Sequence, residues 1–162
     1  MLLSNAGPVQ SGLIPADTNK KQLMKKVLVL CTGNSCRSQM AEGYLRHFAG
    51  DLAEVWSAGV ETHGVNPRAV RAMGADGIDI SGQTSNNVSE YSDIDFDHVI
   101  TVCDNARERC PWFPSGAQRF HYDFPDPAKA TGTEEEVERA FASVRDMIKK
   151  YCLSFVQEHI VK

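Results

Sequence analysis

The chain of 162 residues is expected to fold as one α/β sandwich built on a mostly parallel sheet. Three observations predict this. The run Val27-Leu28-Val29-Leu30 is apolar without interruption, as a strand covered on both faces must be. Strand-like and helix-like segments then alternate, the pattern of parallel strands joined by helical crossovers. The length suits a single core rather than two.

The elements follow in order. Residues 1–24 mix Gly, Pro, Ser, Asn and Lys without a period and read as a flexible extension ahead of one catalytic domain over 25–162. After the strand at 27–30 and a Gly- and Ser-containing turn, residues 39–49 read as a helix with Met40, Leu45 and Phe48 on its apolar side. Residues 54–58 form a second strand. Asn66 and Pro67 then open a helix as cap and first residue, with Val70 and Met73 as its apolar stripe. Residues 98–102 make the clearest later strand and 119–122 a weaker one. In the last helix, Thr133 and Glu136 form a capping box. Val137, Ala140, Phe141, Val144, Ile148, Tyr151, Cys152 and Phe155 recur there at helical spacing.

Composition narrows the function. With 42% hydrophobic and 23% charged residues the chain is an ordinary globular protein, and a net charge of -4 disfavours a nucleic-acid partner. No apolar run approaches the ~20 residues of a membrane span. The first residues carry no basic segment ahead of a long apolar stretch, so no secretory signal is read there. A cytoplasmic monomer is expected. Its five cysteines should then be reduced thiols, available for catalysis or metal binding rather than as staples.

The decisive stretch is Cys31-Thr32-Gly33-Asn34-Ser35-Cys36-Arg37-Ser38, directly after the first strand. A strand that ends in a short loop feeding a helix aims several N–H groups at one point, where the helix dipole also favours negative charge. Gly33 permits backbone conformations closed to other residues. Arg37 can clamp two oxygens of a tetrahedral anion through its planar fork. Cys31, at the mouth of this positive cradle, is expected to be a thiolate, with Ser38 donating a hydrogen bond to it. Thr32, Gly33, Asn34, Ser35, Cys36, Arg37 and Ser38 are thus the oxyanion-binding candidates.

A second cysteine pair, Cys103 and Cys110, follows the strand at 98–102 with C-x6-C spacing. It could be a redox pair, or one buried and one incidental cysteine. A zinc site is disfavoured because no C-x2-C or H-x3-H motif accompanies it. Were 103–110 fully helical, the two Cα atoms would stand roughly 10 Å apart. A disulfide tolerates no more than about 7 Å, so the segment must unwind to form one. Cys152, on the apolar stripe of the last helix, reads as core. Asp126 precedes Pro127, which biases it toward an extended conformation in a polar loop, with Asp123 its nearest rival as a site acid.

The stretch Cys31-Thr32-Gly33-Asn34-Ser35-Cys36-Arg37-Ser38-Gln39-Met40-Ala41-Glu42-Gly43 resembles the signature of the thioredoxin-coupled arsenate reductases, which share the fold of low-molecular-weight protein tyrosine phosphatases. The likeness continues through Ser57-Ala58-Gly59, Glu61 to Pro67, Ile78 to Ser81 and Asp126-Pro127, covering roughly residues 26 to 155. It implies a three-layer sandwich on a four-stranded, mostly parallel sheet. It also implies catalytic roles for Cys31, Arg37, Cys103, Cys110 and Asp126. Cys31 would attack arsenate, Cys103 would attack Cys31, and Cys110 would close a disulfide that thioredoxin reopens. Asp126 would be the general acid.

Phosphate and sulfate would mimic the substrate, and no bound cofactor is implied. Phosphatases of this fold usually carry aromatic residues after the Asp-Pro. Here Ala128-Lys129-Ala130 follows, which suits a small inorganic anion better than phosphotyrosine. Some reductases of the family bind potassium, and Asn34, Glu42 and Ser57 match that site. Asn86 stands where the family's remaining carboxylate belongs, so strong potassium activation is not expected. A phosphatase of the same fold is the alternative, and a non-catalytic thiol sensor of anions is a third reading.

Overall fold

The computed structural model describes residues 24–109 and 116–161. The extension expected over 1–24 therefore lies, Met24 apart, outside the described residues, and so does Cys110. Four strands, β1 (Lys25–Cys31), β2 (Ala53–Gly59), β3 (His98–Thr101) and β4 (Gln118–His121), form one sheet in the order β2-β1-β3-β4. Every pairing is parallel, with Val27 opposite both Val55 and His98, and His98 opposite Gln118.

All four strands therefore end on the same edge, at Cys31, Gly59, Thr101 and His121. The chain leaves β1 toward β2 on one side and later returns to β3 on the other. Cys31 thus closes the strand where the order reverses, the place at which open α/β sheets bind ligands.

Helices α1 (Arg37–Ala49), α2 (Pro67–Ala75) and α4 (Glu134–Phe155) pack against one another, and the short α3 (Asp104–Arg109) rests on β1 and β3. Alternate residues of a strand face opposite sides, yet Val27 through Cys31 and His98 through Thr101 are all buried. The sheet centre is covered on both faces, which makes three layers. Leu28, Leu30, Ile100, Tyr44, Met40, Phe141 and Ile148 are among the fully buried side chains, each worth about 1.5–3 kcal/mol of transfer free energy.

The predicted stripe holds in α4, where Phe141, Val144, Ile148, Cys152 and Phe155 are buried and Thr133 accepts the Glu136 N–H at 3.2 Å. The Cys152 thiol faces the Ala41 carbonyl, confirming it as core. Asn66 caps α2 by accepting the Arg68 N–H at 2.8 Å.

The boundaries of all four strands and of α1 shift by one or two residues: β1 and β2 are longer than expected and β4 lies one residue earlier. α1 starts at Arg37 rather than Gln39, because the Met40 N–H bonds the Cys36 carbonyl and closes the helical turn as soon as the loop ends. β3 stops at Thr101, one residue short of the expected end. The short turns at 88–91 and 127–129 carry no apolar period, which is why periodicity does not reveal them.

Candidate active site

The loop between β1 and α1 is defined by where its carbonyls go. The Thr32 carbonyl accepts the Glu61 N–H, Gly33 that of His63, and Ser35 that of Asn66, each at 2.9–3.0 Å. The Asn34 carbonyl accepts the Gln39 amide at 3.0 Å. With the carbonyls pinned outward, the peptide N–H groups of the same stretch are left for the inside of the loop, above the start of α1. No side chain caps that helix at Cys36. The result is a cradle of donors at a helix N-terminus.

Asn34 makes the turn. Its φ of 48° is left-handed, a conformation asparagine tolerates better than most residues. Its buried side chain donates to the Ser38 and Ser57 hydroxyls, both at 2.9 Å, and accepts the Asn86 N–H at 2.8 Å. The conformational freedom expected of Gly33 is thus needed one residue later. Gly33 serves a different purpose: its missing side chain makes room for the His63 ring, whose Nδ1 would lie 2.4 Å from a Cβ there. Ser38 accepts the Asn34 amide through its hydroxyl oxygen, which leaves its own proton free to donate.

A cavity of about 180 Å³ opens above the loop, lined by Cys31, Thr32, Gly33, Ser35, Cys36, Arg37, His63, Asp126 and Ala128. Five of the expected oxyanion contacts are there. The side chains of Asn34 and Ser38 lie fully buried behind the loop and shape it from outside the cavity. Arg37 donates to the Phe124 carbonyl at 2.9 Å and faces the Asp126 carboxylate at 3.6 Å. The 124–126 segment thereby holds the guanidinium over the opening. Asp126 also accepts the Ala128 N–H at 3.0 Å. Asp123 does something else: it accepts the Asp104 N–H at 3.1 Å, at the start of α3.

Cys103 follows β3 and lies behind the anion loop. It is 3% exposed and close enough to Cys31 for the two thiols to share a proton. The Thr32 hydroxyl lies 3.3 Å from its sulfur, and the Ala106 N–H donates to it at 3.3 Å.

The pair shares its protons unequally. The hydrogen bond with Cys103, helped by burial, pushes the Cys31 thiol up, against the pull of Arg37. The same bond draws Cys103 well below the usual thiol range; burial opposes this, while Thr32, Ala106 and Arg37 assist. The two sulfurs thus share one proton, so that one of them can be a thiolate beside Arg37 at neutral pH. Burial pushes Cys36 up to about 11, so it stays a neutral thiol beside the cavity.

His63, which sequence reasoning passed over, stacks its ring against Gly33 and pairs with Glu61 at 2.9 Å. Asn105 was missed as well; its amide donates to the Thr32 hydroxyl at 2.9 Å. Nothing local marks either residue, because both act through contacts with the loop.

The residues matched to a potassium site do converge, with Glu42 hydrogen-bonded by Ser57 and Ser57 by Asn34. The Asn86 N–H can only donate, so the Asn34 atom it meets is the oxygen, and the amide nitrogen is turned toward Ser57. Among the described residues, no group of three or more His, Cys, Asp or Glu side chains could hold a metal ion.

Comparison with known proteins agrees with this geometry. Residues 26–162 match the low molecular weight phosphotyrosine protein phosphatase family. Arsenate reductases of Halalkalibacterium halodurans and Bacillus subtilis are each 50% identical to the chain over 133 residues, covering 82% of it and 96% of the relative. A solved arsenate reductase in the phosphate binding state superposes with a TM-score of 0.72 at 33% identity, covering 83% of this chain and 98% of that one. A low molecular weight protein tyrosine phosphatase from T. tengcongensis shares the fold, with a TM-score of 0.70 at 24% identity over 83% of this chain and 99% of that one.

Proposed function

Since this chain belongs to the low molecular weight phosphotyrosine protein phosphatase family, we propose that it works as one of that family's arsenate reductases. The observation that carries the reading is the buried second thiol, Cys103, which shares a proton with Cys31 and is held against the anion loop by the Thr32 hydroxyl at 3.3 Å. Hydrolysis of a phosphate ester needs one nucleophile. A two-electron reduction needs a second sulfur to take the bond.

The steps follow from the arrangement. Arsenate enters the cradle, where the loop N–H groups and Arg37 neutralise its charge. The Cys31 thiolate, with Cys103 holding the proton the two share, attacks arsenic, and a hydroxyl departs as water, its proton delivered by Asp126, leaving a thiol–arsenate ester. Cys103 then attacks the Cys31 sulfur, its proton leaving with the arsenite. An S–S bond forms, the S–As bond breaks, and its electron pair leaves with arsenic as arsenite. Cys110 next displaces Cys31 from Cys103, and the resulting Cys103–Cys110 disulfide is reduced by thioredoxin.

The small wall beside Asp126 supports an inorganic substrate, since Ala128 lines the cavity where an aryl ring would need an aromatic partner. No helix among the described residues is long and apolar enough to cross a membrane. A cycle of free thiols suits the reducing cytosol. A monomer suffices, because one chain lines the whole cavity. Turnover is proposed to be independent of potassium, and equal rates in sodium and potassium sulfate are the expected result.

The test is arsenate-dependent NADPH oxidation in the presence of thioredoxin and its reductase. Cys31→Ser, Cys103→Ser and Cys110→Ser should each abolish it. If only Cys31→Ser mattered, and only to phosphate ester hydrolysis, the protein would be a phosphatase.

A further inference from the structure

Helix α3 follows Cys103 directly, and its six residues bury only Ala106. On the side away from the anion loop, a cavity of about 220 Å³ lies among Val99, Thr101, Arg107, Arg119, Phe120 and His121. Close packing there does not set the position of α3. A polar string does. The Thr101 hydroxyl lies 2.7 Å from Nδ1 of His121, and Nε2 of His121 lies 2.7 Å from the Asp104 carboxylate. A carboxylate only accepts, so Nε2 donates to it, and the Thr101 hydroxyl, which also reaches the Phe120 carbonyl at 3.4 Å, ends the string at Nδ1. Asp104 is held a second time through its N–H, which Asp123 accepts at 3.1 Å. The residue next to Cys103 is therefore gripped by both its main chain and its side chain, from the ends of β3 and β4.

Resting on the relay reading above, we propose that His121 is a positioning residue for the second thiol: by anchoring Asp104 to the β3–β4 edge, it aims the Cys103 sulfur at Cys31. His121 touches neither sulfur. Its effect passes through one peptide unit. Moving Asp104 by even a fraction of an ångström tilts Cys103 away from the Ala106 N–H and the Thr32 hydroxyl, the donors that hold its negative charge. The charged groups around Cys103 are Arg37 from α1, and Asp104 and Arg107 from α3, with Cys31 as the other titrating group and His121 behind Asp104. Removing His121 leaves all the others in place.

The test compares His121→Phe, His121→Gln and Asp104→Ala in the full-length protein. Alkylation of Cys103 by iodoacetamide is followed by mass spectrometry across pH, without arsenate. The Phe variant should react with its pH midpoint shifted upward and about tenfold more slowly at neutral pH, the order expected for a lost charge-assisted hydrogen bond. Glutamine, which can still donate to Asp104, should restore most of the rate. In turnover, the Phe variant should lose about tenfold in kcat for arsenate with KM unchanged, and keep its aryl phosphate hydrolysis, which does not use Cys103.

An unchanged alkylation profile in folded His121→Phe would overturn the proposal. So would an equal loss of arsenate and aryl phosphate turnover, which would mark a general structural defect. Should the Phe variant fail to fold, Asp104→Ala, at an exposed side chain, decides by the same profile. If the unmutated protein showed no arsenate turnover, the relay would fall, and Cys103 alkylation would still judge His121.

Discussion

The two halves of the site are built differently. The anion loop, with Asn34, Ser38 and Gln39 fully buried, is tied into the body of the protein by hydrogen bonds that water does not reach. Helix α3 buries one side chain and is otherwise held at its surface, by Asn105 to Thr32, Arg109 to Glu61 and Asp104 to His121. Buried bonds are costly to break and exposed ones exchange readily with water. Binding and transition-state stabilisation call for a cradle that does not move. Passing a disulfide from Cys31 to Cys110 calls for a segment that does.

The difference can be broken experimentally, and the largest effect should come from the rigid half. Arg37→Lys keeps the charge and loses the fork, and should lower kcat/KM for arsenate by about 10²–10³, measured in the coupled assay. An effect under threefold would mean that the loop N–H groups bind the anion alone.

Asn34→Ala removes two buried hydrogen bonds and one half-buried one at a left-handed residue and should cost about 2–4 kcal/mol in urea unfolding. By contrast, Arg109→Ala cuts an exposed pair and should leave Tm within experimental scatter. A large drop for Arg109→Ala would erase the distinction between the halves. Hydrogen exchange sharpens it: residues 103–112 should lose protection when the protein is oxidised, while 31–42 keep theirs. Equal protection of 103–112 in both states contradicts a mobile relay segment.

An effect of opposite sign concerns Glu42, behind the loop. Burial raises its pKa, with Arg46 and Ser57 opposing. A raised carboxyl pKa means that the folded state holds the proton more tightly than the unfolded one. Its stabilising contribution is therefore complete below the ordinary carboxyl range and is lost as pH rises through the folded value. Glu42→Gln should raise the urea midpoint at pH 7, and the gap should close near pH 4. A midpoint unchanged at pH 7 would show that Ser57 and Arg46 fully compensate the buried charge.

Particular residues show how far the chain can be read without its fold. Local chemistry was sufficient for β1, α2 and α4. An apolar run, an Asn-Pro start and a helical stripe each express contacts between neighbours in sequence. The anion loop was legible for the same reason, because a strand, a loop and a helix N-terminus in succession already aim the donors. Gly33 was legible as special but for the wrong cause. Its role depends on His63, which arrives from another part of the chain.

Beyond local order, the site depends on residues brought together from distant positions. Thr32 meets Cys103 across 71 positions, and Arg37 meets the Phe124 carbonyl across 87. The spacing of cysteines could name the thiols but could not say how a proton is shared between them. That depends on how many donors surround each sulfur once β1 and β3 lie side by side, and those donors include Thr32 from one strand's loop and the Ala106 N–H from the helix after the other. Periodicity and caps follow from bonded neighbours; protonation follows from distance and dielectric, which exist only after the chain has closed on itself.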